Sequence, residues 1–242
     1  MNLSISAKNR LIFALDVPNR KEAESYVRAL GDTVGCFKVG LELFIKEGPD
    51  VLKLVKQNSS ASIFLDLKLH DIPATVRSAL RSAATHGVRF ITVHASDGGS
   101  ILQTANEVKD LGLEVLAVTV LTNVSESELG GLGYKENLSL RQLVLDRANV
   151  AKESGCAGVV CSGEEVALIK RACSNHFKVV VPGIRPLWAD VKKDDQSRIV
   201  TPKDAISNGA DLIVVGRPIR DAKDPNIAAL KIVEEIESAL SA

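Results

Sequence analysis

Eight short apolar runs punctuate the chain: LIFALD (11–16), GCFKV (35–39), SIFLDL (62–67), RFITVH (89–94), EVLAVTVL (114–121), AGVVCS (157–162), KVVVPG (178–183) and DLIVVG (211–216). Each is brief and mostly β-branched or aromatic, the pattern of a strand buried on both faces. Amphipathic segments with helical spacing separate them: Lys21–Leu30, Leu43–Lys56, Ala74–Thr85, Ser100–Asp110, Leu140–Glu153, Glu164–Cys173, Pro202–Asn208 and Ile227–Leu240. Gly31, Gly87, Gly112, Gly155 and Gly209 sit where turns or helix stops are needed. Eight strand–helix units in 242 residues give about 30 residues per unit, the repeat of a parallel sheet. That number of units fits an α/β (β/α)8 barrel, the TIM-barrel architecture of roughly 250 residues. An open doubly wound sheet usually has fewer strands and often a GxGxxG first turn. The first turn here, DVPNRKE (16–22), has no glycine. No linker, charge block or low-complexity stretch interrupts the pattern, so one domain over 1–242 is expected. Thr122–Asn137 and Pro186–Thr201 are longer than most βα connections and are candidate binding loops or lids.

Composition narrows the function. Thirty Lys and Arg balance 30 Asp and Glu, whereas a nucleic-acid binder needs a cationic excess. Aromatics make up only 4%, too few for a base-stacking surface. No apolar stretch is long enough for a membrane span, and the N-terminus does not read as a signal peptide. Cys36, Cys156, Cys161 and Cys173 form no CxxC pair and read as reduced thiols of a cytoplasmic protein. His70, His86, His94 and His176 show no HxH or HExxH spacing, so polar or structural roles are expected and no metal site.

In such a barrel the C-terminal strand ends carry the chemistry. Asp16 ends the first run, Lys38 lies near the end of the second, and Asp66 and Lys68 end the third, with Asp71 just beyond. The two-residue strand period puts Asp66 and Lys68 on one face and Leu65, Leu67 and Leu69 on the other. The charged face must then look into the barrel mouth, where unpaired ions are costly. An alternating network of Asp16, Lys38, Asp66, Lys68 and Asp71 is expected. Across the mouth, the loops VVVPGIRP (179–186) and VVGRPIRD (214–221) place Gly183 and Gly216 beside Arg185 and Arg217. Glycine allows backbone N–H groups to approach an anion, and an arginine can grip phosphate oxygens bidentately.

The run DLKLHDIPATV (66–76) resembles the DxKxxDIPxTV signature of the orotidine 5′-phosphate decarboxylase family. LIFALDVP, FKVGLELF, VTVLT, PGIRP, DQSR and VVGRPI follow in the family's order, from about residue 10 to 220. Position 74 is Ala where many members carry Asn. The resemblance implies conversion of orotidine 5′-monophosphate to uridine 5′-monophosphate and CO2 without a cofactor, as the last step of de novo pyrimidine biosynthesis. It implies a homodimer in which Asp71 and Thr75 reach the partner's site. Lys68 would protonate C6, with Asp66, Asp71 and Lys38 as its catalytic companions. Asp16 and Lys38 would hold the ribose, and Thr122 and Pro182 would lie near the base. Gln196, Gly216 and Arg217 would hold the phosphate, with Arg185 nearby. Residues 186–199, which carry the lone Trp188, would close over it. Two alternatives stay open: a Mg2+-dependent sugar-phosphate barrel sharing DxKxxD, and a non-catalytic nucleotide-binding barrel. The DIPATV continuation and the PGIRP and DQ blocks speak against the first.

Overall fold

The computed structural model describes residues 6–96, 98–135, 138–174, 176–189 and 198–241. Eight strands form a closed barrel: β1 (Leu11–Ala14), β2 (Cys36–Gly40), β3 (Ser62–Leu69), β4 (Phe90–His94), β5 (Glu114–Val118), β6 (Gly158–Val160), β7 (Lys178–Val181) and β8 (Leu212–Val215). Each pairs in parallel with the next, and β8 closes onto β1 through Leu11–Ile213 and Phe13–Val215. The expected (β/α)8 barrel is therefore the fold.

Strand parity divides the core in two. Phe13, Phe37, Ile63, Leu65, Ile91, Val115 and Val179 belong to a large outer cluster packed under the helices. The alternate positions Ile12, Cys36, Phe64, Phe90, Leu116 and Val180 form a separate small inner cluster. Phe64 and Phe90, paired in register, meet edge to face at 6.2 Å. One strand period further on stand Lys38, Asp66 and Thr92. The alternation that fills the barrel with apolar side chains thus raises polar ones at its mouth.

The helices depart from the sequence pattern in places with local causes. The expected segment 43–56 is two helices, Leu41–Glu47 and Asp50–Asn58. Gly48, at φ 63°, and Pro49 break it. The expected helix at 100–110 is a single turn, Gly99–Leu102, followed by a 3-10 segment, Gln103–Leu111. A four-residue helix, Arg217–Arg220, follows β8; it is too short to leave a periodic signature. Among the stop glycines, Gly31 has ordinary right-handed geometry with φ −56°.

Gly158 marks the tightest approach in the barrel wall. A Cβ there would lie 2.2 Å from the Lys178 carbonyl oxygen of β7, which is backbone and cannot swing away. Gly158→Ala should cost about 1–3 kcal/mol, as overpacking does. A lower urea midpoint at unchanged m-value would show it.

Candidate active site

A cavity of about 520 Å³ opens at the C-terminal ends of the strands, within the range of small-molecule sites. Asp16, Lys38, Asp66 and Lys68 line one side of it, and Thr122, Pro182, Arg185, Gly216 and Arg217 line the rest. These nine residues, all expected at the mouth, therefore share one cavity. Gln196 lies outside the described residues. Asp71 and Thr75 are exposed and do not line this cavity. The Asp71 carboxylate accepts the backbone N–H of Ile72 at 2.6 Å.

Four charges form a continuous chain. Lys38 Nζ donates to Asp16 Oδ1 at 3.0 Å and lies 3.6 Å from Asp66 Oδ2. Lys68 Nζ donates to both Asp66 oxygens, at 2.9 and 3.0 Å. The expected alternation holds for these four, and Asp71 is not joined to them in this chain. Gly40 leaves the room they need, since a Cβ there would come within 3.1 Å of Asp16 Oδ1 and 3.2 Å of Lys38 Nζ.

Burial and pairing oppose one another here. Desolvation alone would raise the Asp66 pKa, but the Lys38 and Lys68 ammoniums and the bonds from Lys68 and Thr92 hold it below the usual carboxylate range. Desolvation alone would lower the Lys38 pKa, but Asp16 and Asp66 hold it above the usual lysine value. Asp66 thus supports the fold above the ordinary carboxylate pKa, and this is lost as pH falls through its lowered value. The Lys38 contribution is full below the ordinary lysine pKa and is lost as pH rises through its raised value.

Sequence reasoning missed how β3 carries this chain. Between Leu65–Ile91 and Leu69–Val93 the register of β3 against β4 slips, four steps on one strand facing two on the other. Lys68 there takes φ 50°, the one non-glycine residue with positive φ among those described. Such a conformation costs about 1–3 kcal/mol and persists only where its surroundings enforce it. Leu67 and Leu69 still pack toward the outer cluster, so the expected facing survives the bulge.

Residues 9–232 match the model of the Orotidine 5'-phosphate decarboxylase / HUMPS family. The chain belongs to this family. It is 48% identical to the orotidine 5'-phosphate decarboxylase of Desulfosudis oleivorans, covering 98% of this chain and 96% of that protein. It is 43% identical to the one from Syntrophotalea carbinolica, covering 98% of each. The crystal structure of orotidine 5'-phosphate decarboxylase from Lactobacillus acidophilus superposes with a TM-score of 0.81 at 38% identity, covering 93% of this chain and 98% of that one.

This family member braces its mouth with residues to which the sequence pattern assigned no role. Arg220 Nη1 donates to the Asp16 carbonyl at 2.9 Å, fixing the backbone beside the first carboxylate. In the long connection after β5, Arg147 donates to the Thr119 carbonyl at 2.5 Å and to the Tyr134 hydroxyl. Arg198, buried, pairs with the buried Glu165 at 2.5 Å and donates to the Leu121 carbonyl at 3.2 Å. Val200 adds backbone bonds to Gly183 and Arg185. The connections after β5, β6 and β7 are thereby tied together. Trp188 is docked on the C-terminal helix Pro225–Leu240 (Nε1 to Glu235 at 2.7 Å), with Lys231 over its ring. The four cysteines are free and buried, and desolvation raises each thiol pKa, so they are weak nucleophiles. Among the described residues no cluster of three His, Cys, Asp or Glu could hold a metal ion, and no helix is long and apolar enough to cross a membrane.

Glu165 is the buried charge that this brace must offset: burial pushes its pKa up and Arg198 opposes that. Arg198→Ala strands a buried carboxylate and should cost about 3–5 kcal/mol. Adding Glu165→Gln should recover part of the loss. Denaturant unfolding of both variants measures the difference.

Proposed function

We propose that this chain decarboxylates orotidine 5′-monophosphate to uridine 5′-monophosphate and CO2, the last step of de novo pyrimidine biosynthesis. The observation that carries the reading is the Lys68 ammonium held by both oxygens of Asp66 at the cavity mouth, in a chain whose full-length relatives bear that name. The C6–carboxylate bond breaks, its electron pair stays on C6, and CO2 leaves. Lys68 delivers a proton to C6 and recovers one from solvent. Asp66 stands beside the departing carboxylate, while Lys38 and Asp16 hold the ribose hydroxyls. Thr122 and Pro182 flank the base. Arg217, with Gly216 and Arg185, takes the phosphate, and Gln196 joins them as residues 186–199 close over it. No cofactor takes part. The carbanion is stabilised by charges already in place, which avoids reorganisation at the moment of reaction. Phosphate binding energy is available to organise the site.

The active form is a homodimer in the cytoplasm. Asp71 and Thr75 are exposed beyond their own cavity, and so are Leu41 and Ile45 on the connection after β2 and Ile72 after β3, with Ile45 79% and Ile72 66% exposed. This arrangement suits a second copy that receives the two polar residues in its site. Sedimentation should give a species near twice the 25.9 kDa chain mass. Ile72→Asp should shift it toward monomer and lower activity.

The deciding assay follows loss of orotidine 5′-monophosphate absorbance with EDTA present. Full turnover is expected, and Lys68→Ala should lose at least about 10²–10⁴-fold in kcat with the barrel still folded. Turnover that required Mg2+ would favour the sugar-phosphate alternative. Tight binding of 6-azauridine 5′-monophosphate with no turnover of orotidine 5′-monophosphate would favour a non-catalytic barrel.

A further inference from the structure

Thr92 lies on β4 at the register slip with β3 and is fully buried. It does not line the cavity. Its hydroxyl oxygen accepts the Lys68 backbone N–H at 2.8 Å, and its O–H donates to Asp66 Oδ1 at 2.9 Å. Asp66 in turn holds Lys68 Nζ. One hydroxyl therefore closes a circuit: Lys68 backbone to Thr92, Thr92 to the Asp66 carboxylate, and the carboxylate back to the Lys68 ammonium. The residue at the centre of this circuit is the one with the left-handed backbone. In the slip, β4 offers Lys68 a side-chain oxygen as acceptor for its N–H.

We propose that Thr92 is a positioning residue: its hydroxyl holds the Lys68 backbone in its unusual conformation and sets the Asp66 carboxylate against the Lys68 ammonium. This rests on the reading of Lys68 as proton donor. The idea is specific to a hydroxyl at this position. Valine has the same shape but can neither accept the Lys68 N–H nor donate to Asp66, and a buried N–H left without a partner is costly. Serine keeps both functions. The groups facing Asp66 are Lys38 from β2, Lys68 from β3 and Thr92 from β4, with Asp16 behind Lys38. His70 and His94 stack on each other nearby in sequence, with ring centroids 5.7 Å apart.

The test compares wild type, Thr92→Val, Thr92→Ser and Lys68→Ala in orotidine 5′-monophosphate turnover, and follows the Asp66 carboxyl by 13C NMR during acid titration. Thr92→Val should lower kcat on the order of ten- to a hundredfold while KM stays within about twofold. Its acid limb and the Asp66 titration should both move to higher pH, because a bond that favours the carboxylate is gone. Thr92→Ser should restore most of each. Wild-type kcat and an unmoved Asp66 titration in Thr92→Val would overturn the proposal, as would equal losses in Thr92→Ser. If the valine variant does not fold, Thr92→Cys, a weaker donor and acceptor, is judged by the same criteria. An inactive wild type would instead defeat the decarboxylase reading, and the Asp66 titration would still decide the role of Thr92.

Discussion

The Asp66 carboxylate is the point on which the mouth of the barrel turns. It is a largely buried anion, and such a charge is tolerable only where its oxygens are matched by donors. Lys38 approaches from β2, Lys68 from its own strand and Thr92 from β4. Each of these groups is in turn constrained by Asp66. Lys38 is aligned between two carboxylates, and Lys68 adopts a backbone conformation that its neighbours must enforce. Removing the carboxylate would leave two ammoniums side by side above an apolar floor of Phe64 and Phe90. The geometry of the charge chain and the local strain of β3 are two aspects of one electrostatic requirement.

The barrel was legible because strand parity is a strong signal. The period that places Cys36, Phe64 and Phe90 inside also carries Lys38, Asp66 and Thr92 to the mouth, so the charged strand ends could be read as a cluster before any coordinates. Thr92 itself could not. Its importance depends on the register between β3 and β4 and on a slip in it, and the alternating apolar pattern continues through that slip unchanged. Arg198 closes the DQSR block, but its pairing with Glu165 was equally hidden, the two being 33 residues apart and joined only because the connections after β6 and β7 fold over one another. The expected five-charge network ended at four within one chain because Asp71 points out of its own cavity toward solvent, and the two-residue period stops applying where the strand ends.

Loop length alone marked two connections as notable, but not what holds them. The segment after β5 is pinned by Arg147 and by a capping box in which Ser125 and Glu128 satisfy each other. The segment after β7 is fastened at its start by Trp188 on the C-terminal helix and at its return by Arg198. Long-range partners of this kind are set by tertiary packing, and the local sequence contains no term for them.

The order of the strands around the ring decides which parts of the mouth a bound molecule can join. The linked charges stand at the ends of β1, β2 and β3, while Pro182, Gly183, Arg185, Gly216 and Arg217 belong to the turns after β7 and β8. A molecule that touches both sets bridges the seam where β8 closes onto β1. Its affinity is then partly shared with the ring closure between β8 and β1, and occupancy raises resistance to unfolding by mass action. The charge chain and the two arginine-bearing turns lie on neighbouring arcs of one ring, and a Cβ at Gly216 would lie 3.9 Å from Asp16 Oδ2. A molecule seated across that seam would hold the two arcs in register.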